Sequence, residues 1–199
     1  MITIREFKKV SSLEEAWELN QKRTSKIIGG MLWVKMTKGN VMTAIDLSGL
    51  GLDKIEETEE EIRIGCMATL RQMEEHQGLN AYTNGAVKEA LRYIVGVQFR
   101  NLATVGGSVY GRFGFSDVLT VLLAMDTYVE MYKGGIIPLA EFVNMKYDRD
   151  LLVSVMIKKQ KASIALPGLA PTAIRIPASV KAVAQVSTGK SVLAIRTLW

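Results

Sequence analysis

Residues 100–117 read Arg-Asn-Leu-Ala-Thr-Val-Gly-Gly-Ser-Val-Tyr-Gly-Arg-Phe-Gly-Phe-Ser-Asp, and their four glycines interrupt what we otherwise expect to be an apolar strand. Adjacent glycines let the backbone approach a ligand closely or adopt positive φ angles. The hydroxyls of Thr104, Ser108 and Ser116 can bond to phosphate or sugar oxygens. The carboxylate of Asp117 can accept a hydrogen bond from a ribose or ribityl hydroxyl. This run therefore predicts a site for a ligand with phosphate and sugar groups.

A second glycine pair lies earlier in the chain, where Gly29-Gly30 follows the short apolar run Lys26-Ile-Ile28. Two glycine loops in one chain indicate one large ligand that is held from two sides. The three spaced glycines of a nicotinamide-binding Rossmann motif and the Lys-Ser/Thr ending of a phosphate loop are both missing. Glycine pairs also occur in turns that bind nothing, so the pairs alone leave a purely structural role open.

Catalytic side chains are scarce in this sequence. The single histidine, His76, is expected at a solvated helix surface, and the single cysteine, Cys66, is expected to be buried. One cysteine excludes an internal disulfide and a cysteine-ligated iron–sulfur cluster within the chain. No group of His, Cys and carboxylate residues has the spacing of a metal site. An enzyme with so few acid–base groups leaves its chemistry to a cofactor.

Length, composition and charge narrow the class of protein. The 199 residues, 48% of them hydrophobic, are typical of one globular domain or two small ones. No apolar stretch is long enough to span a bilayer, and the chain begins without a leader pattern, so we expect a cytoplasmic protein. All 20 acidic residues lie in residues 1–150, and the positive excess comes from residues 151–199. Those basic residues are scattered singly, which argues against a nucleic-acid-binding surface.

The hydrophobic pattern predicts an α+β fold with two parts. Residues 1–57 read as a small β-α-β-α-β unit, and residues 58–160 as a mixed, largely antiparallel sheet with helices. Residues 161–199 contain three of the four prolines and no acid, so we expect an atypical tail there. Side chains that can cap a helix stand before several apolar runs: Ser11 or Ser12, Thr69 and Ser116.

At these residues the chain resembles the FAD-binding subunit, or domain, of the molybdenum hydroxylases. That family includes xanthine dehydrogenase and the medium subunit of aerobic carbon monoxide dehydrogenase. The resemblance covers about residues 2–158 and is most specific in the segments 101–108 and 116–126. Supporting segments, in the same order and spacing as in the family, are 26–30, 44–48 and 62–69.

The resemblance implies a two-subdomain FAD-binding fold of the PCMH/vanillyl-alcohol-oxidase type, with the dinucleotide between the subdomains. By position, the pyrophosphate would be wrapped by the backbone of Ile27, Ile28, Gly29, Gly30, Met31, Leu32 and Trp33. The other side of FAD would be held by Thr104, Gly106, Gly107, Ser108 and Ser116. Asp117 would bind a polyol hydroxyl, and Leu151 or Leu152 would pack near the flavin or adenine.

The resemblance also implies partners and a reaction. Electrons would pass from a molybdopterin-binding large subunit through a [2Fe–2S] small subunit to FAD, and then to an acceptor such as NAD. The chain would be a FAD-dependent oxidoreductase subunit that is active in the complex. Two alternatives stay open from the sequence: a self-contained flavoprotein oxidoreductase of the same fold, and a truncated or frameshifted remnant with impaired FAD binding.

The sequence departs from the family pattern at three points. The first loop of the family commonly reads Gly-Gly-Thr-Asp, whereas Met31 and Leu32 follow the glycines here. The second loop commonly ends in Asn, where this chain has Ser108. Without the threonine hydroxyl and the aspartate carboxylate of the family's first loop, backbone amides would contribute more of the FAD binding. Family members usually continue with a C-terminal domain, and we expect that a truncation or frameshift produced the stretch 161–199 in its place. The alternative that stays open is a genuine short tail that packs on a partner.

Overall fold

The computed structural model of the chain describes residues 2–159, so the tail predicted at 161–199 lies outside the described residues. Residues 2–159 form one parallel and one antiparallel sheet with helices packed on them, which confirms the predicted α+β class. The first strand of the second sheet begins at Ile55, just before the proposed boundary between residues 57 and 58. The division into two subdomains stays a proposal.

The first sheet has three parallel strands in the order β1-β3-β2. Helix α1 connects β1 to β2, and the hydroxyl of Ser12 caps it by accepting the N–H of Glu15 at 3.1 Å. A 3₁₀ turn over Val34–Met36 connects β2 to β3, in the place of the second helix of the predicted β-α-β-α-β unit. The elements are β1 Ile2–Lys9, α1 Leu13–Asn20, β2 Ser25–Ile28 and β3 Gly39–Asp46.

The second sheet has five antiparallel strands in the order β4-β5-β8-β6-β7. Strand β8 is central, and most of its residues are buried between β5 and β6. This antiparallel pairing confirms the architecture predicted for the second part of the chain. The strands are β4 Ile55–Glu57, β5 Glu61–Gly65, β6 Thr127–Met131, β7 Gly135–Pro138 and β8 Leu152–Lys158.

Seven short helices follow β5 within residues 2–159. Two of them, α6 and α8, pack directly on strands of this sheet, and the other five pack mainly on neighbouring helices. The predicted caps Thr69 and Ser116 are confirmed at the starts of α2 and α7, and Thr69 forms a full capping box with Gln72. No described helix is long and apolar enough to cross a membrane. The helices are α2 Leu70–Glu75, α3 Gln77–Tyr82, α4 Ala86–Arg92, α5 Val97–Arg100, α6 Val105–Tyr110, α7 Asp117–Leu123 and α8 Leu139–Phe142.

The structure corrects two sequence-based predictions. The pair Gly106-Gly107 does not interrupt a strand but lies in the first turn of α6, which Thr104 caps. A capping hydroxyl and close packing against Cys66 outweigh the low helix propensity of two glycines. His76 is not simply solvated, because its Nδ1 accepts the N–H of Leu79 at 3.1 Å and begins α3.

One continuous hydrophobic core joins the two sheets. Its buried members include Ile45 of the first sheet, Leu47 just after β3, and Ile64 and Val155 of the second sheet. Cys66 is buried in the same core, as predicted, and this burial raises the pKa of its thiol to about 12. The thiol therefore stays protonated at neutral pH, which makes it a poor nucleophile.

A buried ion pair joins two helices at the start of the glycine-rich run. Arg100, 4% exposed, donates to both carboxylate oxygens of Glu74, 3% exposed, at 2.8 and 3.3 Å. It also donates to the carbonyl of Ile94 at 3.1 Å. Burial alone would raise the pKa of the Glu74 carboxyl, but the hydrogen bonds from Arg100 and Arg71 lower it overall. The pair thus stays ionised and connects α2 to α5, whose last residue, Arg100, begins the run.

We predict that Arg100→Met destabilises the chain strongly, because it leaves the Glu74 carboxylate buried and without its bidentate partner. The expected loss is about 3 kcal/mol in the free energy of unfolding, the lower end for a broken buried ion pair, because Arg71 still lies 3.0 Å from the Glu74 carboxylate. Urea denaturation measures this loss. Arg92→Met is the matched control, since Arg92 pairs with Glu89 at the exposed surface and should tolerate the change. Equal losses in the two variants would contradict this assignment.

Candidate functional site

A cleft of about 820 Å³ lies between the two sheets. One wall is β2 and the loop after it, and the other wall is α6 with the segment that leads into α7. Fourteen of the fifteen predicted site residues line this cleft: Ile27, Ile28, Gly29, Gly30, Met31, Leu32, Trp33, Thr104, Gly106, Gly107, Ser108, Ser116, Asp117 and Leu152. The exception is Leu151, which is fully buried in the core.

The two glycine segments touch each other directly. A Cβ atom on Gly29 would lie 2.5 Å from Oγ1 of Thr104, and one on Gly30 would lie 1.8 Å from the carbonyl oxygen of Leu102. Both distances are far shorter than any real carbon contact. The first pair is therefore glycine because two chain segments pack together there, before any ligand is considered.

The second glycine pair divides into one packing residue and one open residue. A Cβ on Gly106 would meet the carbonyl oxygen of Cys66 at 2.6 Å, and the N–H of Gly106 donates to the same oxygen at 2.8 Å. A Cβ on Gly107 would meet only the Thr104 hydroxyl, at 3.1 Å. Gly107 is thus the position of this pair at which a missing side chain leaves the cleft accessible.

The backbone amides at the start of α6 already have acceptors within the chain. Val105 donates to the carbonyl of Ala68 at 2.8 Å, and Ser108 to the carbonyl of Thr104 at 3.2 Å. The N–H of Gly107 donates to the Thr104 hydroxyl at 3.2 Å. The start of α6 therefore offers a ligand surface and side chains rather than free backbone donors.

The loop after β2 has the opposite property. The backbone N–H groups of residues 29–34, which we call the amide run, donate no hydrogen bond to any residue of the described range 2–159. The run follows the carboxyl end of a parallel strand, which is where such sheets bind ligands. Successive N–H groups that lack acceptors, in a segment that lines a cleft, can form a donor array suited to an anion such as a phosphate.

Backbone strain also concentrates at this cleft. Met31 and Val95 both line it and adopt φ angles of 58° and 53°, a region that non-glycine residues rarely occupy. Val95 is β-branched, which makes its left-handed conformation especially unfavourable. Such strain typically collects at functional sites, where surrounding structure holds it in place. The departure from the family pattern at Met31 thus coincides with a strained position.

The hydroxyl and carboxylate groups of residues 104–117 differ in whether they already have hydrogen-bond partners within the described chain. Ser108 donates to the carbonyl of Thr104 at 3.1 Å, while Ser116 donates to the carbonyl of Ser108 at 3.3 Å and accepts from Leu119 at 3.2 Å. The exposed carboxylate of Asp117 has no hydrogen-bond partner among residues 2–159. Asp117 is thus the predicted polar side chain that is left free for a ligand.

An aromatic rim and a polar end of the cleft did not emerge from the sequence. Phe113 and Phe115 stack at 5.2 Å, and Phe115 approaches Trp33 of the opposite wall at 5.9 Å. Both phenylalanines stand in the run 100–117, so their closeness to Asp117 was a usable signal. The polar end gave no local signal because residues distant in sequence form it: Asn20, Arg23, Ser25, Lys26, Asp148, Arg149 and Asp150.

A family model described as the FAD binding domain in molybdopterin dehydrogenase matches residues 4–160. The chain belongs to this family. FAD is therefore its cofactor, and the resemblance drawn from residues 101–108 and 116–126 is confirmed. An uncharacterized protein of Escherichia coli K12, YgfM, is 29% identical over 159 residues, which are 78% of this chain and 60% of YgfM. The chain thus spans about three fifths of the length of this curated relative.

Several solved structures have the same fold. The cyanide-inactivated Cu,Mo-CO dehydrogenase matches with a TM-score of 0.71 at 19% identity, over 81% of this chain and 61% of that chain. Carbon monoxide dehydrogenase from Hydrogenophaga pseudoflava matches with a TM-score of 0.71 at 19% identity, over 80% of this chain and 61% of that chain. Quinoline 2-oxidoreductase from Pseudomonas putida 86 matches with a TM-score of 0.68 at 16% identity, over 79% of this chain and 60% of that chain. At such identities these likenesses show the fold.

The residues present fit a dinucleotide such as FAD. The amide run over residues 29–34 suits a pyrophosphate, the free carboxylate of Asp117 suits a polyol hydroxyl, and the aromatic rim suits a planar ring. The site geometry thus agrees with the cofactor of the family. Within residues 2–159, no group of three or more His, Cys, Asp or Glu residues is arranged to hold a metal ion.

We predict that Gly30→Ala disturbs both the fold and the cleft, because its methyl group would overlap the Leu102 carbonyl. The free energy of unfolding should fall by about 1–3 kcal/mol in urea denaturation, and FAD binding should weaken with it. Gly114→Ala is the control, since a methyl group at that position would have no other atom within 4 Å. A Gly30→Ala variant as stable as Gly114→Ala would refute the close contact.

Proposed function

We propose that the chain is the FAD-binding electron-transfer subunit of a molybdopterin-dependent dehydrogenase or hydroxylase complex. Its partners would be a molybdopterin-binding large subunit and a [2Fe–2S] small subunit, and its acceptor a molecule such as NAD. The bound FAD would supply the electron-transfer chemistry that links the small subunit to this acceptor. The observation that supports the proposal most directly is the amide run of residues 29–34 opposite the free carboxylate of Asp117.

Each wall of the cleft has its own part in holding the cofactor. The amide run would bind the pyrophosphate, and Thr104 would support Gly107 at the point where the cofactor passes α6. The hydroxyls of Ser108 and Ser116 would accept further hydrogen bonds, and Asp117 would accept one from a polyol hydroxyl. Leu152 would give an apolar contact to a ring, and Leu151 would support it from the core.

The side chains of the cleft favour a binding role over acid–base chemistry. Burial, together with nearby Asp148, raises the pKa of Tyr110 to about 12. Cys66, which also lines the cleft, has its pKa raised to about 12 by burial. Both groups stay protonated at neutral pH, so neither is poised to accept a proton there. The residues of the chain would therefore bind and orient the cofactor while partners supply the other redox centres.

The partners are proposed from the family and from the solved structures that share the fold. The family model is described as belonging to molybdopterin dehydrogenases. One carbon monoxide dehydrogenase with this fold is named for its copper and molybdenum, and another as lacking the Mo-pyranopterin moiety of the molybdenum cofactor. In this proposal other chains bind molybdenum and iron, and the chain functions after it assembles with those subunits.

Purification and reconstitution test this proposal. The chain should bind FAD with a flavin absorption spectrum, and it should co-purify from its source with a cysteine-rich subunit and a large molybdopterin subunit. Substrate oxidation by the flavin-loaded chain alone would favour a self-contained flavoprotein instead. A folded chain that cannot be reconstituted with FAD would favour a remnant with impaired binding.

We predict that the pyrophosphate dominates FAD binding, because in this proposal the amide run would donate to phosphate and not to the ring. FAD should bind at least about 100-fold more tightly than riboflavin in fluorescence titrations, as expected for two or more hydrogen bonds to a charged group. Adenosine diphosphate should compete with FAD for the site. Equal affinities for FAD and riboflavin would contradict the assignment of residues 29–34.

We predict that Asp117→Ala weakens FAD binding by about tenfold, because it removes a charged hydrogen-bond acceptor from the cleft. A fluorescence titration with FAD measures this change. Asp53→Ala is the control, since Asp53 is exposed and lies outside the cleft. Unchanged FAD affinity in Asp117→Ala would remove this residue from the site.

A further inference from the structure

The amino end of β2 is held by one arginine from a distant part of the chain. Arg149 lies in the segment before β8, and its guanidinium donates to three backbone carbonyls. These belong to Asn20, to Lys22 at 2.6 Å and to Ser25 at 3.2 Å. All three lie in the last turn of α1, in the connection to β2 or at the first residue of β2. Arg149 therefore contacts the start of β2, the strand that leads into the amide run.

The contact is reciprocal. The carbonyl of Arg149 accepts the side-chain amide of Asn20 at 2.8 Å and that of Gln21 at 3.1 Å. Asn20 is buried, although its side chain is polar, and its amide is satisfied by this contact. Five hydrogen bonds therefore join one residue of the second sheet region to a short connection of the first.

The electrostatics of α1 explain why a cation is needed there. The last turn of a helix exposes carbonyl groups that lack partners and has a partial negative charge. Helix α1 has no basic residue in its own last turn, and Arg149 supplies the missing cation from outside. No carboxylate among residues 2–159 forms a salt bridge with Arg149, so carbonyl groups are its only described partners.

The neighbouring acids have other partners. The carboxylate of Asp150 accepts the N–H groups of Lys133 and Gly134. The carboxylate of Asp148 accepts the hydroxyl of Tyr110 and the N–H of Asp150. The guanidinium of Arg149 is therefore available to donate to the three carbonyls. A planar fork with several N–H groups can reach three carbonyls at once, which the single ammonium of lysine cannot do in the same geometry.

We propose that Arg149 is a positioning residue of the cleft, which fixes the amino end of β2 so that the amide run after its carboxyl end stays directed at the cofactor. The carboxyl end is fixed independently, because Gly30 packs against Leu102. Strand β2 has four residues, all paired with β3, so contacts at its two ends restrict its tilt relative to the opposite wall. This inference rests on the proposed function, since it assigns Arg149 to the same FAD site.

Arg149→Lys tests the inference, with Tyr132→Phe as the matched control. The hydroxyl of Tyr132 donates to Glu14 at 2.7 Å and joins α1 to the second sheet outside the cleft. In the apo-chain, amide hydrogen exchange in a peptide covering residues 20–30 should be about tenfold faster in Arg149→Lys, while residues 152–158 keep their exchange rate. Tyr132→Phe should leave exchange in residues 20–30 unchanged.

The second measurement is of FAD binding and of the spectrum of the bound flavin. Arg149→Lys should bind FAD about tenfold more weakly, and at saturating FAD the visible circular dichroism of the flavin should still differ from that of the unchanged chain. A purely structural role would restore the same spectrum at saturation. If Arg149→Lys does not fold, Asn20→Ala removes one bond of the contact and should give a smaller change of the same kind.

Two results would overturn the inference. The first is an Arg149→Lys variant in which both the amide exchange of residues 20–30 and the FAD affinity equal those of the unchanged chain. The other is a Tyr132→Phe variant that changes both quantities as much as Arg149→Lys does. Failure of the unchanged chain to bind FAD would instead overturn the proposed function, and the exchange measurement on the apo-chain separates the two cases.

Discussion

The rest of the structure depends on a close backbone contact in which the carbonyl oxygen of Leu102 occupies the space that a side chain on residue 30 would need. Thr104 fills the equivalent space at Gly29. This contact joins the end of β2 to the start of α6 and so brings the two walls of the cleft together. Because both glycines are required for packing, their presence is explained before any ligand is considered, and the ligand site is a consequence of the contact.

The two glycine segments offer different kinds of hydrogen-bonding groups to a ligand. The first loop leaves a run of N–H groups without partners among residues 2–159, whereas the start of α6 uses its N–H groups internally, on Cys66, Ala68 and Thr104. Free donors therefore lie on one wall, and hydroxyl and carboxylate groups lie on the other. An anion is expected to bind the first wall and the sugar or polyol the second. The assignment of FAD to the family agrees with this asymmetry.

Sequence reasoning worked where the signal was local. Caps at Ser12, Thr69 and Ser116, the α+β class and the set of residues around both glycine pairs follow from neighbouring residues, whose chemistry acts within a few positions. It was wrong about Gly106-Gly107, because glycines are poor helix formers and only the packing against Cys66 reveals why α6 forms there. It gave no sign of Arg149, whose partners are more than a hundred residues away.

By itself, the sequence determined the elements, their caps, the scarcity of acid–base groups and the family to which the chain belongs, since each of these is written in short patterns. Only the tertiary structure decided which groups are free to bind a ligand. A backbone N–H is a donor at every residue except proline, and whether it remains available depends on the acceptors that folding brings near it. The free donors at residues 29–34 and the occupied ones at the start of α6 are a product of that folding.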